Sequence, residues 1–375
     1  MSYYVSRKGE IFMKNGVRRS AVGAGVLMAV IGVQISVPAI AAEAPRPPAR
    51  TSGDFADGLY MSIGDLEDAM NGSNPDVRKM IDRRDIASVQ VVVPWGAMEK
   101  EKGKYQWGRI DAALRYLGDR HKKLYVQVQD RFFETTPEQA KLPDYVKKNG
   151  GVVETADDHP GSDPHAKGAM AAQWKRDVRK SFQNLLKAMA DQFAGKLAGV
   201  NLPETSAQVP EEEQKRTGYT AEKYFEAERA NMLYGKKVFS RNNGDTQFIQ
   251  YANFWPMDKD EEARCAEDET QCADEKRMEE IVKLAAEKKI GIGGPDILPD
   301  RYYPTRKSYQ FIEKYKKQLP VVAMAVQEPT LKYEDPKNPG HLYTRERFTD
   351  FARDRLGASS IFWTVEADWL KKPAM

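Results

Sequence analysis

This sequence of 375 residues is poor in the residues and motifs on which many enzymes depend. It has four histidines and two cysteines. The histidines lie apart from one another, and no HExxH motif is present. No G-x-S-x-G elbow occurs, and no glycine-rich phosphate turn follows the first predicted strand, where SIGDLEDAM stands. These absences argue against a zinc protease, an acyl-transferring serine and a dinucleotide site. We expect no metal and no cofactor.

Long apolar runs are also lacking, except near the N-terminus. Residues 14–19 are rich in basic side chains, 21–40 are mostly small and apolar, and AIAAEA follows. This order is typical of a secretory signal peptide. We therefore predict a signal peptide over residues 1–42, a Pro-rich linker over 43–53 and a folded region over 54–375. An uncleaved membrane anchor is the alternative.

Removal of the leader changes the charge of the chain. Residues 1–42 hold five of the 58 basic and one of the 55 acidic residues, so 53 basic and 54 acidic side chains remain. A nearly neutral chain does not indicate a nucleic-acid partner. We expect a periplasmic or secreted protein with no stable membrane insertion after cleavage.

Cys265 and Cys272 both lie in the acidic segment EEARCAEDETQCADEKR. Two nearby cysteines in an exported protein favour a disulfide. On one unbroken helix their seven-residue separation would amount to about 10 Å of rise, which is too far for a bridge. A bridge therefore requires a break in the helix. A zinc site is not expected, because no histidine is near either cysteine.

From residue 58 onward a short apolar strand and an amphipathic helix alternate eight times. The predicted strands are 58–64, 88–95, 123–130, 197–204, 247–255, 290–297, 321–328 and 360–366. Helical spacing of apolar residues is clearest at 107–117, 177–193, 220–239 and 308–319. Eight such units predict a single-domain α/β fold, the (β/α)8 TIM barrel. A doubly wound open sheet is the alternative. The segment 131–172 is predicted to be a rim insertion after the third strand.

Catalytic residues of such barrels lie at the C-terminal ends of the strands. The predicted strand ends carry aromatic and acidic residues, namely Trp95, Asp130, Glu204, Trp255, Asp296, Glu328, Trp363 and Glu366. Indole faces stack on sugars, and carboxylates bind hydroxyl groups or transfer protons. The pattern favours a carbohydrate cleft, although each tryptophan considered alone is more typical of packing at the top of the barrel.

Glu204 in GVNLPETS and Glu328 in VVAMAVQE each follow an apolar run. Hydrolysis of a glycosidic bond needs two carboxyl groups, and these two are the candidates. The sequence resembles glycoside hydrolases of clan A over most of residues 55–370, most clearly in PWGAMEKEKGKYQWGRID (94–111) and FWTVE. The resemblance implies that Glu204 is the acid/base, Glu328 the nucleophile and Trp363 the floor of a sugar subsite.

Two features depart from that resemblance. Pro203 precedes Glu204 where the family has asparagine, and Asn201 would face the other side of a regular strand. Glu366 is a rival to Glu328 as nucleophile. Trp95, Trp255 and Trp363 are the predicted stacking residues. Candidate binders of substrate hydroxyls are Gln129, Asp130, Asn253 and Asp296.

The sequence therefore predicts an exported glycoside hydrolase that acts on an oligo- or polysaccharide by a retaining mechanism, with the two carboxyl groups about 5–5.5 Å apart. A catalytically inactive glycan-binding barrel linked to exopolysaccharide handling is the alternative. A two-lobed solute-binding protein is less compatible, because no domain boundary is evident.

The leader gives a direct prediction. We expect N-terminal sequencing of the exported protein to start at Ala42 or Glu43, because the small residues of AIAAEA suit signal peptidase. A protein that still begins at Met1 or Met13 would instead indicate an anchor.

Overall fold

The eight predicted strands form a closed, all-parallel barrel. The computed structural model describes residues 55–156, 167–240, 245–300 and 306–374. The leader, the linker and the histidine-containing stretch 157–165 lie outside the described residues. The barrel strands are β1 (Ala56–Ser62), β2 (Ile86–Pro94), β3 (Lys123–Gln129), β4 (Gly199–Leu202), β5 (Gln247–Tyr251), β6 (Gly291–Gly294), β7 (Val322–Val326) and β8 (Ser360–Thr364). Each pairs with its neighbours in chain order, and β8 closes onto β1. The predicted TIM barrel is confirmed.

Helices connect the strands and cover the outside of the barrel. Their bounds are Ile63–Asn71, Pro75–Ile81, Trp95–Met98, Gly108–Gly118, Asp144–Lys148, Arg176–Phe193, Glu211–Thr217, Ala221–Phe239, Lys259–Glu267, Ala273–Lys288, Arg306–Tyr315 and Arg345–Asp350. After β8 the chain forms only a short 3-10 turn, Asp368–Lys371. The helix Arg176–Phe193 shows why these segments are helical, since its buried residues recur at intervals of three and four along one face.

Helix caps decide where some strands stop. The sequence pattern extended the first strand to residue 64, but the structure ends β1 at Ser62. Ser62 accepts a hydrogen bond from the backbone N–H of Asp65, and Asp65 bonds back to Ser62, which forms a capping box. The side chain of Asn74 caps the next helix by accepting from the backbone N–H of Val77, with Pro75 at the first helical position.

The insertion after β3 has secondary structure of its own. A three-stranded antiparallel sheet forms from Arg131–Phe132, Lys167–Ala171 and Val152–Ala156. The N–H of Ala156 donates to the carbonyl of Gln208, at 2.9 Å, in the segment after β4. This sheet therefore borders the mouth of the barrel beside the end of β4.

A disulfide joins Cys265 and Cys272, whose Cα atoms are 4.3 Å apart. Cys265 lies in the helix Lys259–Glu267, and Cys272 directly precedes the helix Ala273–Lys288. The helical run is broken at Asp268, which is extended (φ −147°). This break brings together two cysteines that a continuous helix would hold apart.

The inside of the barrel is partly polar. Gln90 of β2 donates to Gln127 of β3 at 2.8 Å, and its side-chain oxygen accepts from Asn201 of β4 and from the hydroxyl of Tyr251. Gly293 of β6 leaves room for this arrangement, because a Cβ there would lie 2.5 Å from the Tyr251 ring and 1.9 Å from the Ala323 carbonyl. In the interior, large side chains such as Tyr251 therefore pack against glycine backbone of a neighbouring strand.

Gly235 offers a test of packing between the helices and the barrel. A Cβ at this position would lie 1.9 Å from the Phe248 ring of β5. We expect Gly235→Ala to lower the free energy of unfolding by about 1–3 kcal/mol, because the helix must move off the strand. Urea denaturation measures this change.

Gly118→Ala is the matched control for that experiment. Gly118 is also helical, but no atom lies within 4 Å of the position of its Cβ. Alanine there should raise the free energy of unfolding by about 0.4–1 kcal/mol, because it reduces the freedom of the unfolded chain. Equal effects of the two substitutions would contradict the close contact at Gly235.

Candidate active site

One cavity at the mouth of the barrel contains three of the predicted site residues. Glu204, Asn253 and Asp296 line it, and they follow the neighbouring strands β4, β5 and β6. The cavity is open to solvent, and its volume accessible to water is about 60 Å³. The C-terminal ends of parallel strands meet at one edge, so this grouping follows from the barrel topology.

Glu204 reaches the cavity because the strand ends before it. Asn201 faces the barrel interior, where its amide donates to Gln90 at 2.9 Å, and Leu202 packs in the outer core. The chain then leaves the ladder, and the carbonyl of Pro203 accepts from the side chain of Gln250 at 2.9 Å. The regular alternation of side chains between the two faces therefore ends at Leu202. It does not determine the direction of the Glu204 side chain.

Asn253 is held so that its amide donates to Glu204. Its side-chain oxygen accepts from the backbone N–H groups of Ser206 and Phe254, both at 3.0 Å. The amide nitrogen then points to Oε2 of Glu204 and donates to it. Glu204 is nearly buried, with 9% of its surface exposed. The carboxylate of Glu204 is thus fixed in orientation at the mouth of the barrel.

A tyrosine of β1 lies in the electric field of two carboxylates. Burial raises the pKa of Tyr60, and the negative charges of Glu204 and Asp296 raise it further. The hydroxyl of Thr330 donates to Oδ1 of Asp296 at 2.9 Å, and the hydroxyl of Tyr309 donates to the backbone carbonyl of Asp296 at 2.7 Å. Asp296 is therefore held from two sides beside the cavity.

Arg131 supports the segment that carries Glu204. Its guanidinium donates to the backbone carbonyls of Glu204 and Ser206 and to the hydroxyl of Tyr224. Two buried carboxylates balance its charge, with Glu228 at 3.0 Å and Asp130 at 3.2 Å. The second oxygen of Asp130 accepts from Gln173 at 2.7 Å. Asp130 was predicted to bind substrate, but it is 1% exposed and belongs to this support.

The structure gives the three predicted stacking tryptophans a packing role. Trp95, Trp255 and Trp363 are at most 2% exposed. Trp95 donates to Glu99 at 2.8 Å and Trp363 to Asp57 at 2.7 Å, and Trp255 packs edge-on against Phe225. A stacking platform needs an open ring face, so packing at the top of the barrel is the role that fits them.

Glu328 and Glu366 lie outside the cavity of Glu204. Both are exposed, and both line a different cavity beside β7 and β8. Glu328 directly precedes the 3-10 turn Pro329–Lys332 and forms a salt bridge with Lys332 on the surface. Gln129 lines a cavity that adjoins the site, and its side chain donates to the carbonyl of Arg131 at 2.5 Å.

Several residues of the site were missed by sequence reasoning. Tyr60 and Arg131 are two, and Phe133 and Phe254 are two more that line the cavity. Phe133 is 41% exposed, which makes it one of two exposed large apolar side chains in the part of the chain that the structure describes. The run RFF directly after β3 is a sequence signal that could have drawn attention to it.

We next consider which side chains are close enough together to hold a metal ion. Among the described residues, the group that has suitable spacing is Cys265, Cys272 and Asp274. Its two cysteines are bonded to each other. Within the same residues, no helix combines the length and the apolar character needed to cross a membrane.

No protein-family model and no curated protein matches the sequence. The chain is similar in structure to the GH10 xylanase from Bispora sp. MEY-1 solved with xylobiose, at 11% identity over 82% of each chain and a TM-score of 0.49. It is also similar to endo-glycoceramidase II from Rhodococcus sp., at 11% identity over 86% of this chain and 76% of that one, with a TM-score of 0.48. At such identities and TM-scores these likenesses carry no argument about the reaction.

Buried Glu228 leads to a prediction about pH. Burial raises its pKa from 4.5 to about 7, although the charge of Arg131 opposes the shift. The folded protein therefore holds this proton more tightly than the unfolded chain. The stability that the proton contributes is complete below about pH 4.5 and is lost as the pH rises through about 7. Glu228→Gln cannot ionise, so we expect its Tm to fall less than that of the wild type between these pH values.

Glu226→Gln is the control, because Glu226 lies on the same helix but is half exposed. It should reproduce the pH dependence of the wild type. If the Tm curves of Glu228→Gln and wild type run parallel, Glu228 does not take up a proton on folding.

Proposed function

We propose that this protein is a glycoside hydrolase whose proton donor is Glu204. The observation that carries the proposal is the carboxyl group of Glu204, nearly buried and held by Asn253, in a mouth cavity that also contains Asp296. Glycosidic bonds are cleaved by such pairs of carboxyl groups, one of which protonates the leaving oxygen.

The lining of the cavity supports a sugar chain as substrate. Phe133 and Phe254 offer aromatic surface next to the polar groups of Glu204 and Asp296. Aromatic rings pack against the C–H faces of sugars, while the polar groups bind hydroxyls. A second cavity shares Phe132 and Phe133 with the first and extends to Gln129 and Arg109. Two adjoining cavities suit an oligo- or polysaccharide better than a single sugar.

In this proposal Glu204 transfers its proton to the glycosidic oxygen as the bond to the anomeric carbon breaks. The hydrogen bond from Asn253 fixes the orientation of the carboxyl group, and Arg131 fixes the backbone that carries it. Precise placement of this kind is what makes a proton donor effective in the transition state. The leader of the sequence supports export, so the substrate would be a glycan outside the cytoplasm.

Substitution of Glu204 tests the proposal. The polysaccharide that gives the highest release of reducing ends in a panel is first identified with the wild-type protein. We expect Glu204→Gln to lower kcat on this substrate by about 10²–10⁴-fold, because it lacks the proton donor. An aryl glycoside with a good leaving group should lose far less activity, since its departure needs no protonation.

Glu366→Gln serves as the control, because this exposed residue lies outside the cavity. It should keep wild-type activity on both substrates. The proposal fails if the wild type binds glycans but hydrolyses none of the panel, or if Glu204→Gln keeps full activity on the polysaccharide.

A further inference from the structure

Glu204 needs a carboxylate partner, and Glu328, which the sequence suggested, lines a different cavity from Glu204. Ala323 and Ala325 lie in the barrel-interior cluster, whereas Val322, Met324 and Val326 pack in the outer core. The strand ends at Val326, and Glu328 has helical backbone angles directly before the 3-10 turn Pro329–Lys332. The side chain of Glu328 is 47% exposed and pairs with Lys332. It lines the cavity next to Trp363 and Glu366, not the cavity of Glu204.

Asp296 lies in the cavity where the proposed reaction needs a second carboxylate. It follows β6 by two residues and lines the same cavity as Glu204. The negative charges of both carboxylates also act on the phenol of Tyr60 in β1 and raise its pKa. The strand before Asp296 consists of glycine and isoleucine, IGIGG, so no bulky inward side chain from β6 stands below it.

Hydrogen bonds fix the position of Asp296. Oδ1 accepts from Thr330, which lies in the turn that follows β7, and its backbone carbonyl accepts from Tyr309. Tyr309 in turn accepts from the N–H of Leu298 at 3.0 Å, which ties down the segment after β6. The carboxylate is therefore braced by two neighbouring elements, as a group that must meet one atom of a substrate has to be.

We propose that Asp296, and not Glu328, is the second catalytic carboxylate of this site. The inference rests on the proposed function. As Glu204 gives its proton to the glycosidic oxygen, the bond between that oxygen and the anomeric carbon breaks and its electron pair leaves with the oxygen. The anomeric carbon receives a new pair either from a water molecule whose proton Asp296 accepts, or from Asp296 itself. In the second case water, which gives a proton to Glu204, then displaces Asp296 from the anomeric carbon and restores both carboxyl groups. The net reaction is the addition of water across the bond.

The test compares Asp296→Asn with Glu328→Gln on the polysaccharide and on the aryl glycoside. Each substitution replaces a carboxylate by an amide of nearly the same shape. We expect Asp296→Asn to lower kcat by about 10³-fold or more on both substrates, because the missing group is needed whatever the leaving group. Glu328→Gln should stay within about threefold of the wild type on both. Affinity of Asp296→Asn for the polysaccharide, measured by calorimetry, should remain within about tenfold, since the rest of the cavity is unchanged.

A loss of activity must be separated from a loss of folding. If Asp296→Asn melts well below the wild type, Asp296→Ala is assayed with added azide, a small anion that can attack the anomeric carbon in place of the carboxylate or water. Restored cleavage with formation of a glycosyl azide supports the inference, and no restoration overturns it.

Failure of this inference differs from failure of the proposed function. If the wild type is active and Glu204→Gln is not, while Asp296→Asn keeps its activity and Glu328→Gln loses it, Glu328 is the partner and only the present inference is wrong. If the wild type cleaves no glycoside, the proposed function itself is wrong, and the role of Asp296 falls with it.

Discussion

The site depends on one buried cation. Arg131 is 4% exposed and lies below the chain segment that follows β4. It donates to the carbonyls of Glu204 and Ser206, while the hydroxyl of Tyr224 donates to the carbonyl of Thr205 at 3.0 Å. Three successive carbonyls are thus held from below. Buried carbonyls without donors are costly, so this segment has little freedom to place Glu204 elsewhere.

The burial of Arg131 in turn requires its two acidic neighbours. An isolated cation in the interior would lose its hydration without compensation. Asp130 and Glu228 provide the compensation, and because they exceed the positive charge by one, the pKa of Glu228 is raised by the second carboxylate as well as by burial. Helix Ala221–Phe239, which carries Tyr224 and Glu228, is therefore part of the site although it lies outside the barrel.

Most of the fold was evident from the sequence, because each strand is a short apolar run and the helices carry apolar residues at intervals of three and four. The boundaries were less accurate where local hydrogen bonds decide them, as at Ser62 and Pro203. Sequence position alone also selected Glu204, Asn253 and Asp296, which share one cavity. It did not reveal Arg131, whose partner Glu228 is 97 residues away along the chain. Contacts of that separation leave no local pattern.

The failures at the tryptophans have a different cause. A residue at the end of a strand lies near the mouth of the barrel, but the direction of its side chain decides whether it contacts a ligand or the core. Trp95 and Trp363 donate to Glu99 and Asp57 and are at most 1% exposed, so neither ring has a face open to a cleft. The aromatic surface of the cavity comes instead from Phe133 and Phe254, which lie beyond the ends of β3 and β5.

The carboxylates also differ in whether their position along the chain brings them to the cavity. Glu204, Asn253 and Asp296 follow three consecutive neighbours in the barrel, β4, β5 and β6. Adjacent strands are about 4.8 Å apart, so the ends of β4 and β6 are separated by about 10 Å, with Asn253 between them. Side chains that reach inward from such a distance leave space for one bond of a substrate. Glu328 lies beyond β7, where it is exposed, pairs with Lys332 and lines a different cavity.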